Sequence, residues 1–156
     1  MPSKILLVYS TNSGSTFTVA QIIQDILSDK FVVEMQNALE FKPGDVKNYN
    51  TIILGSPSWF SRGLEGMPTE TMLKLLDAWK KEKLAGKNFA LYGCGDDGFA
   101  QFCGAVGHLE DFVKEVKGKS ITTPLRLNSF WFDIDNNVAL AKKWAKELKV
   151  KLLEIK

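Results

Sequence analysis

The sequence predicts a doubly wound α/β fold, in which helices cover both faces of a five-stranded parallel sheet. Short apolar segments alternate with stretches in which apolar residues recur at helical spacing. Strands that are apolar along their whole length are typical of a parallel sheet buried on both faces. The chain has 156 residues, 45% of them hydrophobic, and a domain of that size can bury a core without metals or disulfide bonds. We therefore expect residues 1–156 to form one domain.

The predicted strands are short and apolar, and glycine closes two of them. They are Lys4–Tyr9, Phe31–Met35, Thr51–Leu54, Asn88–Tyr92 and Ser120–Leu127. Gly55 ends the third strand and Gly93 ends the fourth. Pro124 predicts an edge position or a bulge within the fifth strand, because proline cannot donate to a ladder.

The predicted helices follow from apolar residues that recur at helical spacing. Pro68 suits the first turn of the second helix, Gly118 ends the third, and Asp135 can cap the fourth. The inner faces of the four helices comprise Val19, Ile22, Ile23 and Ile26; Met72, Leu75, Leu76 and Trp79; Phe102, Ala105, Val106, Leu109, Phe112 and Val116; and Val138, Ala141, Ala145, Leu148 and Leu152.

Composition argues against several classes of function. Twenty Lys and Arg stand against 18 Asp and Glu, with arginine only at positions 62 and 126, so nucleic-acid binding is not favoured. Cys94 and Cys103 form no CxxC motif and His108 is the only histidine, which disfavours a zinc site or a histidine-based triad. No apolar run approaches the ~18 residues of a membrane span, and the apolar start is too short for a secretory leader. We expect a cytoplasmic protein.

In a doubly wound sheet, ligands bind at the carboxyl ends of the strands, and three loops there have unusual composition. The first comprises Ser10, Thr11, Asn12, Ser13, Gly14, Ser15 and Thr16. Its hydroxyls, its glycine and the helix N-terminus behind it suit a phosphate group. It lacks the GK[ST] motif, which excludes a nucleoside-triphosphatase loop. A serine-rich turn that caps a helix is the alternative for this loop alone.

The second loop, residues 56–67, contains adjacent aromatic side chains. It includes Ser56, Pro57, Ser58, Trp59 and Phe60. Such a pair among Gly, Ser and Pro predicts a stacking surface for a flat ligand. The alternative is that one ring merely covers the helix beginning at Pro68.

The third loop, residues 93–99, contains a literal GxGxxG, but it does not fit a dinucleotide fingerprint. It follows the fourth strand rather than the first, and Asp96 and Asp97 would place negative charge at the pyrophosphate. The acidic residues farther along, such as Glu115, fall on a helix. Free backbone N–H groups better suit the polar edge of a heterocycle, with Phe99 beside its face.

Together the three loops describe a planar ring that carries one phosphate, and flavin mononucleotide (FMN) fits. At these residues the sequence resembles the flavodoxin family along nearly its whole length. The resemblance rests on Thr11-x-Ser13-Gly14-x-Thr16, Ser56-Pro57-Ser58-Trp59, Gly93-Cys94-Gly95-Asp96 and Phe102-Cys103-Gly104-Ala105-Val106. No insertion interrupts the fifth predicted strand, so the chain resembles the short-chain branch of the family.

The resemblance implies a role for each loop. Residues 10–16 would hold the phosphate, Trp59 would cover the inner face of the flavin, and Phe99 would cover the outer face. Cys94, Gly95 and Asp96 would meet the pyrimidine edge, mainly through the backbone. Cys103 would lie near that edge, although a small buried hydrophobic role fits it equally well. Phe130, Trp131 and Phe132 receive no role from the resemblance; we expect them to cover the sheet edge rather than dock a partner.

One departure from the family concerns the residues after Trp59. Short-chain flavodoxins commonly have a glycine there, which permits a peptide flip beside the flavin, followed by acidic residues; this chain has Phe60, Ser61 and Arg62. A non-glycine residue of the turn must then accept a positive φ. Arg62 would place a positive charge near the flavin. Alternatively, Gly63 or Gly66 supplies the flip.

The resemblance implies a monomeric one-electron carrier rather than an enzyme. Its partners would be a reductase that donates electrons and an oxidoreductase that accepts them, with no nucleic acid and no membrane involved. Two alternatives share this fold, an NAD(P)H-dependent quinone reductase and a flavoprotein activator of ribonucleotide reductase. A phosphoacceptor receiver domain is rejected, because it needs an acidic pair after the first strand, where this chain has Tyr9-Ser10-Thr11.

Overall fold

In the computed structural model, which describes residues 4–99 and 101–155, a parallel sheet separates two layers of helices. The strands are β1 (Lys4–Tyr9), β2 (Val32–Asn37), β3 (Thr51–Pro57), β4 (Trp59–Ser61), β5 (Leu64–Met67), β6 (Asn88–Gly95), β7 (Lys119–Ser120) and β8 (Leu125–Asn128). The helices are α1 (Ser15–Leu27), α2 (Glu70–Trp79), α3 (Gly104–Glu115) and α4 (Ile134–Glu154), with short 3₁₀ turns at Pro43–Asn48 and Phe130–Phe132.

The main sheet has the order β2-β1-β3-β6, and both β7 and β8 pair with the free edge of β6. All of these pairs are parallel. The doubly wound fold is therefore confirmed. The antiparallel hairpin of β4 and β5 lies outside this sheet, in the segment that the sequence predicted as a loop.

Alternate residues of the strands pack into two different cores. Ile5 and Leu7 of β1 pack with α1 and α4 on one face, whereas Leu6 and Val8 pack with α2 and α3 on the other. Successive side chains of a strand point to opposite faces, so a run that is apolar throughout supplies both cores at once. This is why β1, β3 and β6 were identifiable from hydrophobicity alone. Gly55 and Gly93 do not end β3 and β6 as expected, because both strands continue past them.

The fifth predicted strand is wrong in its extent. The segment Ser120–Leu127 divides into β7 and β8, and residues 121–124 between them are not in a strand. Pro124 lies at the end of this interruption, where its missing N–H breaks no ladder bond.

Helix starts also differ from the prediction. Pro68 precedes α2 rather than lying in its first turn. Thr69 is the N-cap residue: its hydroxyl accepts the N–H of Met72 at 3.2 Å, which satisfies one free donor of the first turn. The cap position of α4 is Asp133, so Asp135 lies inside the first turn. Phe102 precedes α3 and is 38% exposed.

The buried Tyr92 of β6 packs against Gly55 of β3 near the carboxyl ends of the two strands. A Cβ at Gly55 would lie 2.0 Å from the Tyr92 ring, so only glycine fits opposite this buried tyrosine. The Tyr92 hydroxyl donates to the Thr16 carbonyl at 2.8 Å. This bond joins β6 to the first turn of α1 and so stabilises the part of the fold from which the loops extend.

Among the helices that the structure describes, none is both long enough and apolar enough to cross a membrane.

Candidate functional site

A cleft of about 440 Å³ opens at the carboxyl ends of β1, β3, β6 and β8. This is the place where a doubly wound sheet binds ligands. Of the predicted site residues, those that line the cleft are Asn12, Ser13, Ser15, Pro57, Ser58, Trp59, Phe60, Cys94, Gly95, Asp96 and Phe99. The structure thus brings all three predicted loops to one cavity.

The loop between β1 and α1 is held in shape by its own hydroxyls. The Thr11 hydroxyl accepts the N–H of Gly14 at 2.9 Å, and the Thr16 hydroxyl donates to the Ser10 carbonyl. Gly14 has a left-handed backbone with a φ of 90°. Ser10, Thr11, Gly14 and Thr16 therefore stabilise the conformation of the loop. The exposed Asn12 and Ser13 line the cleft.

Ser56 and Ser58 serve the scaffold as well as the cleft wall. The fully buried Ser56 hydroxyl accepts hydrogen bonds from the Ser10 hydroxyl at 3.2 Å and from the N–H of Thr69 at 3.3 Å. The Ser58 hydroxyl accepts the N–H of Ala105 at 3.0 Å, in the first turn of α3. These two hydroxyls join the end of β3 to the starts of α2 and α3, which fixes the entry to the aromatic segment that follows.

The aromatic segment forms the β4–β5 hairpin. Trp59 pairs with Met67 and Ser61 pairs with Leu64, so Arg62 and Gly63 form a two-residue turn. Their φ angles are 52° and 79°, the combination that matches the twist of a hairpin. Arg62 therefore takes the positive φ expected of a non-glycine residue, at about 1–2 kcal/mol.

Both ends of the hairpin are anchored. At its base, a Cβ on Gly104 would lie 2.6 Å from the Gly66 carbonyl oxygen, so the backbones of β5 and α3 touch. At its tip, Arg62 reaches Glu70 and Asp77 of α2. These hydrogen bonds raise the pKa of the Arg62 guanidinium and lower that of the Glu70 carboxyl. The charge of Arg62 is thus compensated by two carboxylates, and this residue does not line the cleft.

The cleft has aromatic walls on two sides. Trp59 and Phe60 come from the hairpin, and Phe99 comes from the loop after β6; they are 55%, 66% and 62% exposed. Large apolar side chains clustered in this way mark a binding site rather than ordinary surface. Aromatic side chains from two separate segments of one cleft are suited to a flat ligand, because aromatic rings stack on each other with an offset.

The loop after β6 presents backbone between these walls. A Cβ at Gly95 would lie 2.9 Å from both the nitrogen and the sulfur of Cys103, so glycine is required there. The Asp96 carboxylate accepts the N–H of Gly98 at 2.7 Å and turns the chain toward Phe99. Asp96 therefore stabilises the loop that carries the outer aromatic side chain.

The two cysteines occupy different positions. Cys94 lines the cleft, and burial raises the pKa of its thiol to about 11. Cys103 is 1% exposed and lies behind Gly95, where its sulfur is 3.6 Å from the Leu127 carbonyl oxygen; burial raises its pKa to about 12. Cys103 does not line the cleft, so its position matches that of a small buried hydrophobic residue.

The sequence analysis did not assign the turn after β8 to the site. Ser129, Phe130, Trp131 and Phe132 all line the cleft, instead of covering the sheet edge as expected. The sequence did contain a signal for this turn, because a run of aromatic residues follows the carboxyl end of the last predicted strand. Glu65 and Gln101 also line the cleft and were missed as ligand-facing residues, and Gly66, named only as an alternative for the peptide flip, lines it too. Within residues 4–99 and 101–155, no group of three or more His, Cys, Asp or Glu is placed to hold a metal.

Comparisons with known proteins agree with this geometry. The family model for flavodoxin matches residues 7–146. The flavodoxin of Maridesulfovibrio salexigens is 28% identical over 128 residues, covering 81% of this chain and 86% of that protein. The crystal structure of oxidised flavodoxin 2 from Bacillus cereus has a TM-score of 0.83 and 25% identity, covering 99% of this chain and all of that one.

A further solved structure, Fusobacterium nucleatum flavodoxin bound to FMN, has a TM-score of 0.81 at 20% identity and covers 95% of this chain and 98% of that one. At this identity the likeness concerns the fold. The match of the family model over most of the chain confirms the resemblance found in the sequence, and the chain belongs to the flavodoxin family.

Proposed function

We propose that this flavodoxin binds one FMN in the cleft and carries electrons between redox enzymes. The observation that carries the proposal is a single cleft lined by aromatic side chains from two segments and by a hydroxyl-rich loop at a helix N-terminus. Trp59 and Phe99 supply the walls, and residues 10–16 supply the loop. The cleft volume of about 440 Å³ lies within the ~300–1,000 Å³ of small-molecule sites.

The donor set of the cleft fits this cofactor. The loop of residues 10–16 would offer N–H and hydroxyl donors to the phosphate. The backbone of Cys94, Gly95 and Asp96, which line the cleft, would meet the polar edge of the ring. When bound, FMN supplies the capacity to accept and release electrons one at a time. The protein binds the ring, orients it and limits the access of water to it.

Exposure of the aromatic walls supports a carrier whose partners are proteins. The rim residue Phe132 is 92% exposed, so a partner can approach the cleft without any rearrangement of the fold. We also propose that the protein functions as a monomer, as its resemblance to short-chain flavodoxins implies. The proposed partners are a reductase that donates electrons and an oxidoreductase that accepts them.

Cofactor identity is the first test. The purified protein is denatured by heat, and the released flavin is identified by chromatography; we expect one FMN per chain. Anaerobic photoreduction followed by visible absorbance should then reveal electron uptake in one-electron stages. Release of FAD, or no flavin after reconstitution, would contradict the proposal.

A second assay separates the carrier from an enzyme. The holoprotein is mixed with NADPH and a quinone, with and without an added flavodoxin reductase. A carrier should reduce the quinone only when the reductase is present. Sustained turnover without the reductase would favour a quinone reductase instead.

A further inference from the structure

The 3₁₀ turn after β8 carries Trp131 against the loop of residues 10–16. The Cζ2 atom of its indole lies 3.7 Å from the point where a Cβ on Gly14 would stand. Trp131 lines the cleft and is 45% exposed. Its ring therefore stands beside the hydroxyl-rich loop.

The position of Trp131 is determined by its neighbours. Phe130 is 3% exposed and contacts the indole edge to face, with ring centroids 5.0 Å apart at 88°. The N–H of Ser129 donates to the Gly95 carbonyl at 2.7 Å, and the N–H of Phe132 donates to the Ser129 carbonyl at 2.9 Å. The turn is thus fastened to the end of β6.

A buried amide completes this support. Asn137 of α4 is 2% exposed, and its side-chain nitrogen donates to the Asn128 carbonyl at 2.9 Å and the Phe130 carbonyl at 3.4 Å. A polar side chain buried in this way must be satisfied by hydrogen bonds, and here both acceptors belong to the segment that carries Trp131. The indole is therefore held in place before any ligand binds.

We propose that Trp131 is a third aromatic ligand of FMN, one that covers the phosphate end of the cofactor rather than the ring. This inference rests on the proposed function. The loop of residues 10–16 contains no Lys or Arg, so a phosphate there depends on N–H and hydroxyl donors. Such bonds strengthen when water is excluded, because the local dielectric falls. Trp131 excludes water from this end, in place of a cationic side chain.

The proposal predicts a selective loss. Removing the indole should affect FMN, which carries a phosphate, more than riboflavin, which does not. Trp131→Ala should weaken FMN binding by about three- to tenfold. Affinity for riboflavin should change less than twofold. FMN binding should also become more sensitive to salt in the variant, because an exposed phosphate is screened by ions.

The experiment titrates apoprotein with FMN and with riboflavin at low and high salt, following flavin fluorescence. It compares the parent protein, Trp131→Ala, Trp131→Phe and Ile134→Ala. Ile134→Ala is the matched control, because it removes a large apolar side chain that follows the same turn, is 45% exposed and does not line the cleft. Trp131→Phe should recover part of the FMN affinity. Thermal unfolding of each apoprotein checks that the fold is unchanged.

The outcomes separate the two proposals. Failure of the parent protein to bind FMN overturns the proposed function itself. If the parent binds FMN, an equal loss of FMN and riboflavin in Trp131→Ala overturns the assignment to the phosphate end. Unchanged FMN affinity in Trp131→Ala, or an equal loss in Ile134→Ala, also overturns the inference.

Discussion

Arg62, at the tip of the β4–β5 hairpin, forms a two-point ion pair with Glu70 in the first turn of α2. Its Nε lies 3.0 Å from Oε2, and its Nη2 lies 3.1 Å from Oε1. Nη2 also donates to the Asp77 carboxylate at 3.1 Å. The pairing joins the segment that carries Trp59 to a helix of the main fold, so the aromatic wall is braced at its far end.

This brace predicts that Arg62 affects how long the cofactor stays bound. Arg62→Ala should speed FMN release by roughly two- to fivefold, because exposed ion pairs contribute modestly. Arg62→Lys should lie between the parent and Arg62→Ala, since lysine keeps the charge but loses the planar two-point geometry. Stopped-flow measurement of FMN dissociation at low salt tests both. A rate for Arg62→Lys equal to that for Arg62→Ala would contradict the role of geometry.

The aromatic walls predict graded losses of FMN affinity. Trp59→Ala should weaken binding by about tenfold, and Phe99→Ala should weaken it less, because the indole offers the larger stacking surface. Leu64→Ala is the control: Leu64 is 58% exposed on the same hairpin but does not line the cleft. Titration of apoprotein with FMN measures all three, and an affinity loss in Leu64→Ala comparable to that in Trp59→Ala would contradict the wall assignment.

The buried thiols predict slow reaction with thiol reagents. Burial raises the pKa of Cys94 to about 11 and that of Cys103 to about 12, so little thiolate forms near neutral pH. Modification by a chromogenic disulfide should be far slower in the folded apoprotein than in the protein unfolded by urea. FMN should slow Cys94 further, because Cys94 lines the cleft; Cys103→Ala isolates its reaction. Modification of Cys94 at an unchanged rate in the presence of FMN would contradict its place in the site.

The same shifts predict a loss of stability at alkaline pH. A thiol whose folded pKa is raised binds its proton more tightly in the folded state, so its contribution is complete below the unfolded pKa of ~8.5. That contribution disappears as pH rises toward 11 and 12. The melting temperature of the double variant Cys94→Ala and Cys103→Ala should therefore fall less steeply above pH 9 than that of the parent. Parallel slopes for the two proteins would contradict the prediction.

The polar contacts of Glu34, on β2, predict a loss of stability at acid pH. The Tyr49 hydroxyl donates to the Glu34 carboxylate, and Lys4 lies 3.0 Å from the same group. The Tyr49 bond and then Lys4 lower the pKa of Glu34. A depressed folded pKa gives stability that is present above the unfolded value of ~4.3 and is lost as pH falls through the folded value.

Glu34→Gln should therefore remove part of the stability difference between neutral and acid pH. Glu40→Gln, which replaces an exposed carboxylate, is the control and should leave the acid profile nearly unchanged. Thermal unfolding followed by circular dichroism across the acid range measures both. Equal acid profiles for Glu34→Gln and the parent would contradict the role of these contacts.

The sequence by itself determined the layered fold and the end of the sheet at which the cleft opens. Ile5 to Val8 are apolar without alternation, which requires burial on both faces of a parallel sheet, and that topology places the loops after β1, β3 and β6 at one end. Local sequence patterns carry this information because a central strand buries apolar side chains on both of its faces.

Only the tertiary structure decided how the side chains of those loops are used. The turn of Phe130–Phe132 enters the cleft because Ser129 and Asn137 fasten it to β6 and α4. The charge of Arg62 is compensated because folding brings α2 beside the hairpin. Cys103 faces away from the cleft because Gly95 packs against it. Each of these outcomes depends on contacts between segments far apart in sequence, whose partners no local pattern of apolar residues specifies.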